Sequence, residues 1–210
     1  MKKYILFVIL IHFTVASQCQ ESNRWTIMPA LIGGVFPNIG YDLKNYNPLL
    51  IPYLPFSKGS FYGEFRYNYD RNGTFGIYGG KSWSLGENTI HLITPQLGAL
   101  FGDYKGVSLQ FYYNLISPQV EFNLTNNYAL IINDRPNFYF NWTDIQFPVW
   151  KKGRIGASTQ IFVDSTIQTY DFGPMIGYRN EKWYFMLTSF NPWHPEKHYL
   201  FFAIQRTLQL

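Results

Sequence analysis

The chain has 210 residues and a net charge of +4, with 20% aromatic but only 14% charged residues, against about 25% charged in typical globular chains. A soluble domain with that balance would expose large apolar patches, whereas a mean hydropathy of -0.14 excludes a bundle of membrane helices. Its Lys and Arg residues are too scattered, and too unaccompanied by any motif, to form a nucleic-acid footprint, so no nucleic-acid partner is expected. A transmembrane barrel gives this combination, because each strand shows lipid on one face and water on the other.

At the N-terminus, Lys2 and Lys3 form a basic region, Tyr4 to Val15 an apolar stretch and Val15-Ala16-Ser17 a small-residue cleavage site. Residues 1–17 therefore read as a signal peptide, cleaved on export, with the mature chain starting near Gln18. Cys19 is the lone cysteine, so the fold must hold without an internal disulfide. Gln18 before it, rather than a small residue, argues against a lipidated cysteine.

Residues 18–59 form an N-terminal segment of less regular pattern. Trp25 to Ile32 reads as a first strand, whereas 45–58 carries Pro48, Pro52 and Pro55 with little alternation. A second strand near 49–54 would complete a twelve-stranded barrel; without it, the segment would be a lid or plug over ten strands.

Residues 60–210 carry period two, the mark of strands with two different faces. Phe61, Gly63, Phe65, Tyr67 and Tyr69 alternate with Tyr62, Glu64, Arg66, Asn68 and Asp70. Val107 to Leu115, Ile155 to Val163 and Tyr170 to Tyr178 repeat the pattern. Strands are expected near 60–70, 74–83, 88–101, 105–116, 119–131, 137–147, 153–164, 168–179, 182–190 and 199–210. Turn formers such as Arg71-Asn72-Gly73 and Asn133-Asp134-Arg135-Pro136 separate them. Asn72-Gly73-Thr74 matches a glycosylation acceptor and is read here as a turn. The runs are close to the 9–11 residues of a tilted membrane strand and longer than the five or six of soluble strands. The fold class is all-β: a transmembrane antiparallel up-and-down β-barrel of about 10–12 strands.

Two strands break step. The apolar face changes across Thr94-Pro95-Gln96, which predicts a bulge there. A similar change follows Trp142, where Phe138, Phe140 and Trp142 give way to Ile145 and Phe147; a bulge or the start of an interfacial girdle would explain it. Trp25, Trp83, Trp142, Trp150, Trp183 and Trp193 are expected at strand ends, in such girdles.

In the last run, Leu200, Phe202, Ile204, Leu208 and Leu210 alternate with Phe201, Ala203, Gln205, Thr207 and Gln209. This resembles the C-terminal signal strand of bacterial outer-membrane proteins, which the barrel-assembly machinery reads. It departs in ending on Leu210 rather than Phe, and in Arg206, whose stem can lie along the apolar face. With the aromatic load and the signal peptide, the chain resembles the small, mostly uncharacterised outer-membrane barrels of the Bacteroidota type. The resemblance implies a bacterial cell outer-membrane location, with membrane lipid and lipopolysaccharide and the assembly machinery as partners. It carries over no catalytic or binding residue.

The polar faces nominate a lumen lined by Glu64, Arg66, Asn68, Asp70, Gln110, Asn114, Glu121, Asn123, Arg154, Gln160, Asp164 and Asp171. Tyr112 and Tyr139 also read as inward-facing. Charges in so narrow a barrel must pair or be hydrated. The expected function is non-enzymatic: a narrow pore for small solutes or a structural envelope protein, with no cofactor and no metal site. The alternative is a lipid-active barrel enzyme, which needs a His beside a Ser or an acid near the bilayer interface. Beyond His12 of the signal peptide, the candidates are His91, His194 and His198. Pro195 between the last two makes their segment a loop rather than a metal-binding helix.

Overall fold

The computed structural model describes residues 24–35 and 49–210; the expected signal peptide and Cys19 lie outside the described residues. Every described strand belongs to one antiparallel sheet. Three strands are each interrupted once, so the strand segments make twelve strands. β1 comprises Thr26–Ile27 and Ala30–Val35, broken at Met28-Pro29; β2 is Leu49–Lys58, β3 Phe61–Tyr67, and β4 Thr74–Lys81 with Trp83–Leu85. β5 is Ile90–Gly102, β6 Gly106–Ile116, β7 Glu121–Ile131 and β8 Phe138–Pro148. β9 is Gly153–Asp164, β10 Gln168–Arg179, β11 Trp183–Phe190, and β12 Tyr199–Arg206 with Leu208–Gln209.

Each strand pairs with the next, and the ring closes where β1 meets β12, with Ala30 opposite Gln205 and Thr26 opposite Gln209. Within the segment before residue 60, the described residues 24–35 and 49–58 thus supply two wall strands. Pro52 and Pro55 are accommodated within β2, opposite Leu31 and Glu64.

The bulge expected at Thr94-Pro95-Gln96 is absent. β5 pairs with β6 in one unbroken register from Ile90 opposite Ile116 to Leu100 opposite Gly106. On its other side, Gly80 opposite Gln96 and Trp83 opposite Ile93 keep one offset. Pro95 withholds a donor without inserting a residue, and the ladder gap at Ser82 is met by its N–H donating to the Ser60 carbonyl at 2.8 Å. β8 also holds a single register with β9 across Trp142. The apolar residues change sides because aromatic rings fill the interior at the start of the strand.

The outer face is an apolar belt in which Leu97 and Leu109, 61% and 58% exposed, stand opposite each other. Its two rims differ. Beside Leu210 the connections are short, covering residues 59–60, 86–89, 117–120, 149–152 and 180–182; this is the turn end. The opposite, loop end carries residues 68–73, 103–105, 132–137, 165–167 and 191–198. Trp25, Trp83, Trp150 and Trp183 lie toward the turn end and Trp193 at the loop end. Trp142 corrects the girdle expectation: it is buried at the middle of β8, inside the barrel. Arg206 faces outward, its guanidinium 5.3 Å from the centre of the Trp183 ring.

The core is the lumen itself. Ile32, Ile51, Trp142, Met175, Met186, Phe190, Phe201 and Ala203 form one inward cluster, and Tyr78, Leu100, Ala129 and Phe138 another. Barrels near the narrow end of the range fill their interiors this way.

Candidate functional site

The β3–β4 loop, residues 68–73, turns into the lumen instead of away from it. Asn68 starts the bend with a φ of 60°, a left-handed conformation that Asn tolerates better than most side chains. Its carboxamide holds the bend closed, accepting from the Gly73 N–H at 2.8 Å and donating to the Leu50 carbonyl at 3.1 Å. The next three side chains then point into the lumen, Tyr69 and Arg71 reaching across it. Tyr69 stacks on Tyr53 of β2 at 5.5 Å between ring centres and on Trp142 of β8 at 6.1 Å. Asp70 is buried against its own side of the wall. Arg71 reaches the last residue of β9, pairing with Asp164, with its guanidinium 3.8 Å from the Phe162 ring centre.

Asp70 completes a buried network on the β3–β6 wall. Arg66 donates to Asp70 through Nε at 2.8 Å and Nη2 at 2.5 Å, and to Glu64 and Gln110 through Nη1 at 2.8 and 2.6 Å. Neither the Arg66 nor the Glu64 side chain touches solvent. Tyr53 and Tyr112 donate to the Glu64 carboxylate at 2.7 and 2.9 Å, and Tyr78 and Asn127 to Asp70 at 3.0 and 2.5 Å. Two carboxylates around one guanidinium, each with neutral donors, satisfy the arrangement that buried charge requires. Gly98 makes room for it: a Cβ there would lie 2.2 Å from the Tyr78 ring, the ring over which Arg66 sits at 3.8 Å.

Toward the turn end the lumen opens into a vestibule of about 250 Å³, lined by Met28, Tyr53, Tyr62, Tyr69, Tyr112, Asn114, Asn123, Thr125, Trp142, Asp144, Arg179, Tyr184 and Gln205 among others. Glu121 at its rim accepts from Arg154 at 3.1 Å and from Arg179 at 2.6 Å. Asp144 accepts from Trp142 Nε1 at 2.9 Å and from the Ser158 hydroxyl at 2.5 Å, both on Oδ1.

Of the residues nominated from sequence, Glu64, Arg66, Asp70 and Gln110 share the buried network. Asn114 and Asn123 line the vestibule, and Glu121 and Arg154 its rim. Gln160 and Asp171 are paired across β9 and β10 near the loop end, where Asn191 donates to Asp171 at 2.6 Å. Asp164 anchors Arg71. Asn68 is the exception, serving the bend rather than the wall. Tyr139 corrects the inward reading: its hydroxyl donates to Asn126 at 2.6 Å on the outer face, because inward positions in β8 are the even ones. Asn141 and Thr143 join that outer strip, Asn141 donating to Asn126 at 3.0 Å. Tyr69, Arg71, Asp144 and Arg179 were missed; the last two sit on inward registers that alternation from Trp142 and Asp171 would have given.

Among the described residues the histidines form no assembled catalytic group. His91 Nδ1 lies 2.8 Å from the Tyr113 hydroxyl, and His194 is exposed. His198 Nε2 lies 2.9 Å from the Ser189 hydroxyl, but no carboxylate among the described residues orients the other ring nitrogen, the third part such a pair requires. Among the described residues no group of three or more His, Cys, Asp or Glu could hold a metal ion.

Fold and lumen together define a closed, twelve-stranded antiparallel barrel. No protein-family model matches the sequence, and no curated protein matches it. Among solved structures it is similar to "KdgM porin", at a TM-score of 0.53 and 9% identity over 86% of this chain and 99% of that one. It is likewise similar to "KdgM porin in complex with disordered oligogalacturonate", at 0.51 and 10% identity over 87% and 97%. At these identities the likeness is one of fold.

Proposed function

We propose that the protein is a narrow outer-membrane pore for small solutes, held constricted by its β3–β4 loop. The observation that carries this reading is the pair of contacts crossing the lumen, Tyr69 with Trp142 and Arg71 with Asp164. Both join a loop to the far wall, so movement of the loop releases both without disturbing a strand. A structural barrel that never opens would be filled equally well from its walls.

Short turns lie on the periplasmic side of bacterial barrels and longer loops outside, which puts the vestibule toward the periplasm and Arg71–Asp164 at the external mouth. Export through the signal peptide, membrane lipid and lipopolysaccharide around the belt, and handling of β12 by the assembly machinery belong to the same proposal. Kinship with Bacteroidota barrels rests on the aromatic load and the terminal strand.

Among the described residues the lumen carries six acids (Glu64, Asp70, Glu121, Asp144, Asp164 and Asp171) and four arginines (Arg66, Arg71, Arg154 and Arg179). That balance disfavours an anionic passenger such as the oligogalacturonate of the porin complex. Swelling of proteoliposomes tests the reading: small neutral and cationic solutes should enter faster than anions of equal size. Faster entry of the anions would refute it, as would vesicles impermeable to all three even after Tyr69→Ala.

A further inference from the structure

The vestibule contains a carboxylate, Asp144, that no cation among the described residues neutralises. The ion pairs among the described residues use Glu64, Asp70, Asp164 and Glu121; Asp144 takes part in none. Both of its hydrogen bonds fall on Oδ1, leaving Oδ2 without a protein donor. Arg179 lines the same cavity but is committed to Glu121 at 2.6 Å and lies 4.6 Å from the Tyr184 ring centre. An unpaired carboxylate in a partly enclosed cavity is costly, and a cation beside it removes that cost.

The walls specify which cation. Trp142, Tyr69 and Tyr184 line the cavity with Asp144; Tyr69 stacks on Tyr53 and Trp142, and Tyr184 carries the Arg179 guanidinium, so a ligand would meet the ring surface these contacts leave open. Ring faces attract ammonium groups, Trp most strongly, and aromatic cages with a nearby acid recognise substituted ammonium ions. A hard metal ion favours several charged oxygen ligands, and among the described residues Asp144 belongs to no group of three or more His, Cys, Asp or Glu that could hold one. We propose that the vestibule is a binding site for a small organic ammonium ion, with Asp144 as counter-ion and Trp142, Tyr69 and Tyr184 as its walls. The inference deepens the pore reading, whose turn-end half this cavity is.

The test is equilibrium binding by calorimetry to the full-length protein in a non-ionic polyoxyethylene detergent. Choline is the probe, and 3,3-dimethylbutan-1-ol, its uncharged carbon analogue, the control. Choline should bind saturably and roughly tenfold or more tighter than the alcohol, the factor worth about 1.4 kcal/mol. Asp144→Asn keeps an acceptor for Trp142 and Ser158 and should reduce choline to the level of the alcohol. Heat-modifiable migration confirms that this variant is folded, and the choline–alcohol comparison needs no variant. No saturable choline binding, equal affinity for the alcohol, or an unchanged affinity in folded Asp144→Asn would each overturn the proposal. Conductance plays no part in this readout. A non-conducting barrel that binds choline upholds the site against the pore, and a conducting one that ignores choline does the reverse.

Discussion

Arg71, in the β3–β4 loop, is ion-paired with Asp164 at the end of β9, six strands away around a ring of twelve and therefore on the opposite wall. The Asp164 carboxylate, 1% exposed, also accepts from the Thr166 and Ile167 backbone N–H groups at 2.7 Å, so it keeps hydrogen-bond donors when the pair is broken. The consequence of the pair is geometric. Arg71→Ala and Asp164→Asn should each raise conductance with little change in the denaturation midpoint. The double variant should conduct no more than either single one, because both remove the same contact. Additive effects would mean that the two residues act separately.

Arg66 should behave in the opposite way. Arg66→Ala leaves Glu64 and Asp70 buried without a cation and should cost about 3–5 kcal/mol, read as a lower urea midpoint in detergent. Arg66→Lys should recover only part of this, since an ammonium cannot form the two-nitrogen contact with Asp70. A shift within error for Arg66→Ala would show that the network does not hold the wall.

Gly98 is tied to the same network through Tyr78. Gly98→Ala places a methyl against the Tyr78 ring and should cost about 1–3 kcal/mol as overpacking. In a Tyr78→Ala background the same substitution should cost almost nothing. An undiminished penalty there would place the strain elsewhere, as a thermal-melting cycle would reveal.

The outer belt gives a test of the membrane itself. Leu109 is 58% exposed in the middle of β6. Leu109→Arg should destabilise the barrel by about 2–4 kcal/mol in lipid vesicles, and Leu109→Ala far less. Equal tolerance of both in bilayers would deny that this face meets lipid.

Much of the wall was legible in the sequence, because side-chain alternation records two environments. The strand runs from residue 60 onward and the polar register of Glu64, Arg66 and Gln110 follow from period two alone. Pro95 misled, since a proline can withhold one donor without inserting a residue. Trp142 and Tyr139 misled together: a lumen packed with rings inverts the expectation that aromatic means outward. The inward turn of residues 68–73 was hidden for a different reason. Arg71-Asn72-Gly73 marks a turn but not the side to which it folds, and that depends on Trp142, Phe162 and Asp164, supplied by strands far along the chain.

The central claim is that the β3–β4 loop constricts a pore, and single-channel recording in planar bilayers tests it most directly. Wild-type protein should show small or infrequent openings, and Tyr69→Ala with Arg71→Ala should give larger, long-lived ones from an equally stable barrel. Identical traces for the two proteins, or a bilayer silent with both, would contradict the account.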